Sequence, residues 1–235
     1  MNRRTFLART LVTATAAMLT RSELSAAEIA PEAGRGPGRG PRSDLQSVLD
    51  FVQAGHRDLT KVEAMVARDP SLLHARWDWG EGDWESALEG AAHMGRADIV
   101  TYLISQGARI DSFSAAMLGH TEAVKALLDL NPATATTRGP HGLPLMFYVG
   151  HGGQVAMAAA VVPHLENAGD ECNRALHTAT LSNHVDLVEW LIRSGATDIN
   201  TTNCFGKTPL DAAIERKFTR LANVLRQHGG KSSGD

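Results

Sequence analysis

Cysteine is almost missing from this chain of 235 residues, with Cys172 and Cys204 the only two. Two thiols build no disulfide framework, so the fold has to rest on packing. Their positions differ within the repeat described below, which argues further against a bridge between them. The paired Cys-x-x-Cys and His-Glu-x-x-His spacings of zinc sites do not occur, nor does the Gly-x-Ser-x-Gly elbow of serine hydrolases. Long apolar runs are missing too. The stretch from Leu7 to Thr20 is broken by Arg9, followed by Arg21, and too short to span a bilayer. An excess of positive charge is lacking as well. Without Arg3, Arg4, Arg9, Arg21 and Glu23, residues 28–235 hold 19 basic and 25 acidic side chains, a net charge near −6. Such a field repels phosphate backbones and excludes nucleic acid as the expected partner.

What is present begins with a leader. Met1-Asn2-Arg3-Arg4-Thr5-Phe6-Leu7 opens the chain, a mildly apolar segment follows, and Ser25-Ala26-Ala27 closes it. A charged start, a short apolar region and small residues at the exit describe a cleavable targeting peptide over residues 1–27. Arg3, Arg4, Phe6 and Leu7 resemble the twin-arginine export signal, an address rather than an anchor. The resemblance implies a periplasmic or otherwise exported protein with no stable membrane insertion once the signal is removed. Residues 28–42, rich in Gly, Pro and Arg, offer no apolar face and are expected to form a flexible linker. Residues 230–235 are expected to be a disordered tail.

Between these ends one phrase recurs: a glycine- or asparagine-like turn followed by apolar residues at helical spacing. It appears at Gly55, Gly95, Gly119, Gly152, Asn183 and Lys217, at intervals of 40, 24, 33, 31 and 34 residues. After each turn, sets such as Leu187-Val188 and Leu191-Ile192 place apolar groups on one helical face. Before each turn lies a shorter run such as Ala175-Leu176-His177-Thr178-Ala179. Glycine or asparagine at the turn suits the left-handed conformation that ends a helix. Helix pairs this small cannot bury their shared face alone and have to stack on neighbours.

Thr208-Pro209-Leu210-Asp211-Ala212-Ala213 and Arg174-Ala175-Leu176-His177-Thr178-Ala179 resemble the T-P-L-H-x-A phrase of ankyrin repeats. Ser194-Gly195-Ala196-Thr197-Asp198-Ile199-Asn200 resembles the end of an ankyrin unit. The resemblance implies an all-α ankyrin-repeat solenoid of about six stacked helix pairs over residues 43–229, irregular in its first, third and fourth units. The third unit runs from Asp111 straight into Ser112, leaving almost no room for a projecting finger. The fourth carries bulky Leu143 to Val149 where alanine is usual, so wider spacing or a rotated helix pair is expected there.

The implied function is a protein-protein interaction module or scaffold, not an enzyme, with no cofactor and no metal. Three of four tryptophans fall in Trp77-Asp78-Trp79-Gly80-Glu81-Gly82-Asp83-Trp84, where ankyrin arrays project a finger. Tryptophan is enriched at binding hot spots, and Asp78, Glu81 and Asp83 would select a basic protein partner. Alternatively an indole plugs the gap left by the long first interval. The carboxylates do not match an EF-hand loop. The same phasing puts His93, Met94, Leu181 and Ser182 on the concave side and Asn203, Phe205 and Lys207 on the last finger. His56, His120 and His184 are expected to bond backbone at their turns, and His177 to bridge repeats. The rival function is a small-ligand binder or hydrolase-like enzyme that uses His141 and His151, which stand in glycine-rich turns. Neither turn carries the Gly-Lys-Ser/Thr of a phosphate loop.

Overall fold

A computed structural model describes residues 43–234. The export signal and linker expected over residues 1–42 lie outside the described residues. From the N-terminal side, α1 (Leu45–Gly55) and α2 (Leu59–Arg68) form the first helix pair. Strands β1 (Arg76–Asp78) and β2 (Trp84–Ser86) then pair antiparallel, with Trp77 opposite Glu85, and form the tryptophan-rich finger. The second and third pairs are α3 (Ala87–His93) with α4 (Ala97–Ser105) and α5 (Ser112–Met117) with α6 (Thr121–Leu130). The fourth is α7 (Leu145–Gly152) with α8 (Val155–Val161), and the fifth is α9 (Ala168–Leu181) with α10 (Val185–Ser194). The sixth pair is α11 (Pro209–Glu215) with α12 (Thr219–Gln227). Among the described residues no helix is long and apolar enough to cross a membrane.

Side chains of Asp44, Asp58, Ser86, Asp111 and Thr208 satisfy free backbone N–H groups at the starts of α1, α2, α3, α5 and α11. Ser86 and Glu89 close a reciprocal capping box at α3, and Thr208 and Asp211 close another at α11. The turn between paired helices needs one residue in the left-handed region. Gly95 and Gly119 supply it, while Asn183 and Lys217 adopt it at φ 60°. The first unit departs from this expectation. Gly55 stays helical, and its missing side chain lets α1 approach α3, because a Cβ there would lie 2.5 Å from the Ala87 carbonyl oxygen. In the fourth unit the left-handed residue is Gly153, one position beyond the expected Gly152.

The core is a continuous apolar sheet of side chains along the stack, from Phe51 and Val62 through Leu103, Leu128 and Met157 to Leu191 and Leu225. Stacking hides what a single pair would leave in water, which is the cooperative logic of such arrays. The wider spacing expected around the fourth unit is not what α7 and α9 show. Its bulky residues divide between faces, with Tyr148 and Met146 fully buried and Phe147 partly exposed. Gly150 then permits close approach, and Thr178 Oγ1 donates to the Phe147 carbonyl at 2.9 Å.

The C-terminal end also differs from expectation. Residues 230–233, expected to form a disordered tail, fold back over the last pair. Lys231 N–H donates to Asn200 Oδ1 at 2.7 Å, its carbonyl accepts from Thr208 Oγ1 at 2.7 Å, and Ser233 N–H donates to Asp211 Oδ2 at 3.0 Å. These contacts tie the tail to the N-terminal end of α11 and to Asn200. Cys172 is buried and Cys204 exposed, and both thiols are free.

Candidate functional site

Two features stand out along the ends of the first helices. One is an apolar groove of about 800 Å³ lined by residues of units two to six. Six of the expected contact residues line it: His93, Met94, Leu181, Ser182, Asn203 and Phe205. Met94 is 50% and Phe205 81% exposed, well above what a core side chain shows. Lys207 is elsewhere, its ammonium paired with Glu215. Asn203 has a local task, because its Oδ1 accepts the N–H groups of Phe205 and Lys207 and so shapes the last finger. Residues the sequence did not single out complete the wall, notably Leu118, Phe147 and Arg216.

Histidines tie the groove's helices together. His184 Nε2 donates to the His151 carbonyl at 2.9 Å, and His177 Nε2 donates to the Thr201 carbonyl. His177 therefore bridges repeats as the T-P-L-H resemblance implies, whereas His184 reaches the preceding unit rather than its own turn. His151 Nδ1 lies 3.0 Å from Ser182 Oγ. Burial, followed by the charges of His93, His184 and Arg216, pushes His151 down to about 4. Burial also lowers His177, against the opposing pull of the Thr201 carbonyl.

Unfolded imidazoles titrate near ~6.5, so below that pH the unfolded chain binds protons that folded His151 and His177 refuse. For His151 the stability from the neutral ring is complete above about pH 6.5 and is lost as the pH falls toward about 4, and His177 acts in the same direction. His56 has the opposite sign: burial lowers its pKa, but Glu85 outweighs this and raises it, so its contribution fades as pH rises. The expected result is a urea midpoint that drops between pH 7 and pH 4. His151→Gln should flatten that drop by roughly 1–2 kcal/mol, allowing for the ring edge that faces solvent in the groove. Identical pH profiles for variant and parent would contradict the assignment.

The second feature lies at the groove's N-terminal end, where His93 belongs to both. Glu85, on β2, is completely buried. Its Oε2 accepts from Trp79 Nε1 at 2.7 Å and lies 3.4 Å from His56 Nε2. Its Oε1 lies 3.0 Å from His93 Nδ1 and 3.5 Å from His141 Nε2. The four groups offer ligand atoms all within 4.8 Å of one another. Burial tends to raise the Glu85 pKa, but the imidazoles of His56 and His93 outweigh it and hold the carboxyl well below its ordinary range. Asp83 is also lowered, chiefly by the His141 backbone N–H.

The tryptophans of the finger differ in their surroundings. Trp79 supports Glu85 and sits edge-on to His56 with ring centres 6.4 Å apart, so it fills space over the cluster. Trp84 is 51% exposed, and Trp77 is partly buried. Asp78 Oδ1 accepts the Gly80 N–H, and Glu81 takes a left-handed conformation at φ 57°, so both shape the hairpin tip. Asp83 reaches across to the fourth unit, accepting the His141 N–H at 2.8 Å and pairing with its Nδ1 at 2.7 Å.

No local spacing announced this meeting, since His141 lies 58 residues from Asp83. The available signal was the 24-residue interval of the third unit. Only residues 106–111 separate α4 from α5, so no third finger stands between the second and the fourth. His141 and His151 do not come together as the enzyme reading required. His141 faces Asp83 and Glu85, while His151 faces Ser182 and the ring of Phe147 in the groove.

Comparison with known proteins agrees with the geometry. Residues 145–233, covering α7 to α12, match the family described as Ankyrin repeats (3 copies). A similar relative is the I-Kappa-B like protein C2 of Microplitis demolitor bracovirus (isolate Webb). It is 32% identical over 59 residues, which is 25% of this chain and 33% of that protein. The match thus spans about a third of the relative's length. Six stacked helix pairs, two of them started by capping boxes, make this an all-α solenoid whose last three units match ankyrin repeats.

Proposed function

We propose that this chain is an exported interaction module that holds a segment of a partner protein in its concave groove. The observation that carries the proposal is the groove itself: an apolar channel crossing five units, with Met94 and Phe205 presented at its rim. Neighbouring helix ends supply the walls, and such an elongated surface suits an extended segment with several apolar side chains. Exposed Trp84, with Asp78 and Glu81 beside it, adds an acidic aromatic rim that favours a basic stretch in the same partner. The Arg3-Arg4 start is the ground for placing this capture outside the inner membrane.

Site-specific photocrosslinking tests it. A benzophenone side chain at position 94 or 205 should label the same protein in the exported fraction. The same group at position 130, where Leu130 is 84% exposed and does not line the groove, should label little. Met94→Asp with Phe205→Asp should reduce labelling from position 181 by roughly tenfold or more if these rim residues act as hot spots. Equal labelling from position 130, or no product from the groove, would overturn the proposal.

A further inference from the structure

A fully buried carboxylate facing three imidazoles calls for an explanation that the groove does not supply. Glu85 Oε1 and His93 Nδ1 are both buried and neither makes a directed hydrogen bond, although they stand 3.0 Å apart. Buried polar atoms left this way are rare, and binding an ion is one way such atoms are satisfied. The outer contacts of the other two imidazoles point the same way. His56 Nδ1 donates to the Val52 carbonyl at 2.9 Å, which leaves Nε2 with its lone pair directed at Glu85. His141 Nδ1 donates to the Asp83 carboxylate at 2.7 Å, which again leaves Nε2 facing Glu85. An imidazole whose outer N–H is held by a carbonyl or a carboxylate is the usual supporting arrangement for a metal ligand. Trp79 supports the carboxylate in the same manner.

We propose that His56 Nε2, Glu85, His93 Nδ1 and His141 Nε2 bind one divalent first-row transition-metal ion of the zinc type. Four donors at about 2.0–2.2 Å from one ion in a tetrahedron stand roughly 3.3–3.5 Å apart. Glu85 Oε1 lies 3.0 Å from His93 Nδ1 and 3.5 Å from His141 Nε2, and Oε2 lies 3.4 Å from His56 Nε2, close to that spacing. Three imidazoles and a single carboxylate select zinc, cobalt, nickel or iron over calcium or magnesium, which prefer oxygen. Four protein ligands describe a closed, structural site rather than an open catalytic one. The donors come from α1, from the second finger with α3, and from the fourth finger. The ion therefore clips the first, second and fourth units together across the place where a third finger is missing. This site does not depend on what occupies the groove.

The test uses cobalt as a spectroscopic probe. The full chain, stripped with a chelator, is titrated with Co2+ while its visible absorption is recorded. The expected result is a band that saturates at one equivalent, is displaced by Zn2+, and is unaffected by excess Ca2+ or Mg2+. His141→Ala, at an exposed loop where folding is not at stake, should weaken binding by roughly 100-fold or more, since even losing an outer-shell partner costs 10–100-fold. His164→Ala, exposed and outside the cluster, should leave it unchanged. Circular dichroism of each variant verifies the fold. No saturable band, a His141→Ala variant that binds like the parent, or equal loss in His164→Ala would overturn the site.

Discussion

Replacing Gly150 with alanine is expected to lower the thermal midpoint by roughly 2–12 °C, even though alanine is the better helix former. In an exposed helix the change would gain about 1 kcal/mol. Here the new Cβ would sit 1.9 Å from Thr178 Oγ1 and 2.5 Å from the Ala175 carbonyl oxygen. Thr178 can rotate, at the cost of its hydrogen bond to the Phe147 carbonyl, worth about 1 kcal/mol. Ala175 cannot yield, because the obstructing atom is backbone, so α7 and α9 must separate. Forcing a methyl group into packed structure costs about 1–3 kcal/mol and sometimes more. Together these effects come to about 1–3 kcal/mol after the helix gain, and each kcal/mol is worth about 2–4 °C in a domain of this size. Adding Thr178→Ala should recover only a part of the loss, since Ala175 still blocks. A Gly150→Ala protein melting with or above the parent would show that the two helices are not packed as closely as described.

Leu176→Ala is expected to cost about 2–5 kcal/mol, the range for removing a fully buried leucine and leaving a cavity. Leu176 is completely buried in α9, which packs against α7 on one side and α11 on the other. In a linear array stability is a sum of unit and interface terms, so damage to the fifth unit weakens two interfaces together. The urea transition should therefore move to lower denaturant and lose its single sharp step, as units one to four begin to unfold separately from unit six. Leu130→Ala, at a position 84% exposed, should stay within about 0.5 kcal/mol of the parent. Comparable losses at the two positions would mean that the apolar stack is not the source of stability.

The parts of the fold legible in the chain are those set by neighbouring residues. The capping pair Thr208/Asp211 and the left-handed turn at Asn183 follow from residue types a few positions apart. So does the phase that puts His93, Met94, Leu181 and Ser182 on one groove. Each depends on helix geometry that repeats every unit, and a period near thirty-three residues carries it along the chain. Local departures were harder to place. Gly55 looked like a turn residue but serves as a point of close approach to Ala87, which depends on a neighbour 32 positions away. The tail at 230–233 looked polar and free, yet Asn200 and Asp211 had backbone N–H groups to accept.

The cluster around Glu85 belongs wholly to tertiary structure. Its histidines come from a helix end, a second helix and a distant finger, so no spacing within the sequence links them. The sequence alone determined that helix pairs would form and that they would stack, because periodic apolar faces and caps act over a few residues. Only stacking decided which fingers would touch. Side-chain reach is a few ångströms, and the missing third finger brought His141 within that distance of Asp83 and Glu85.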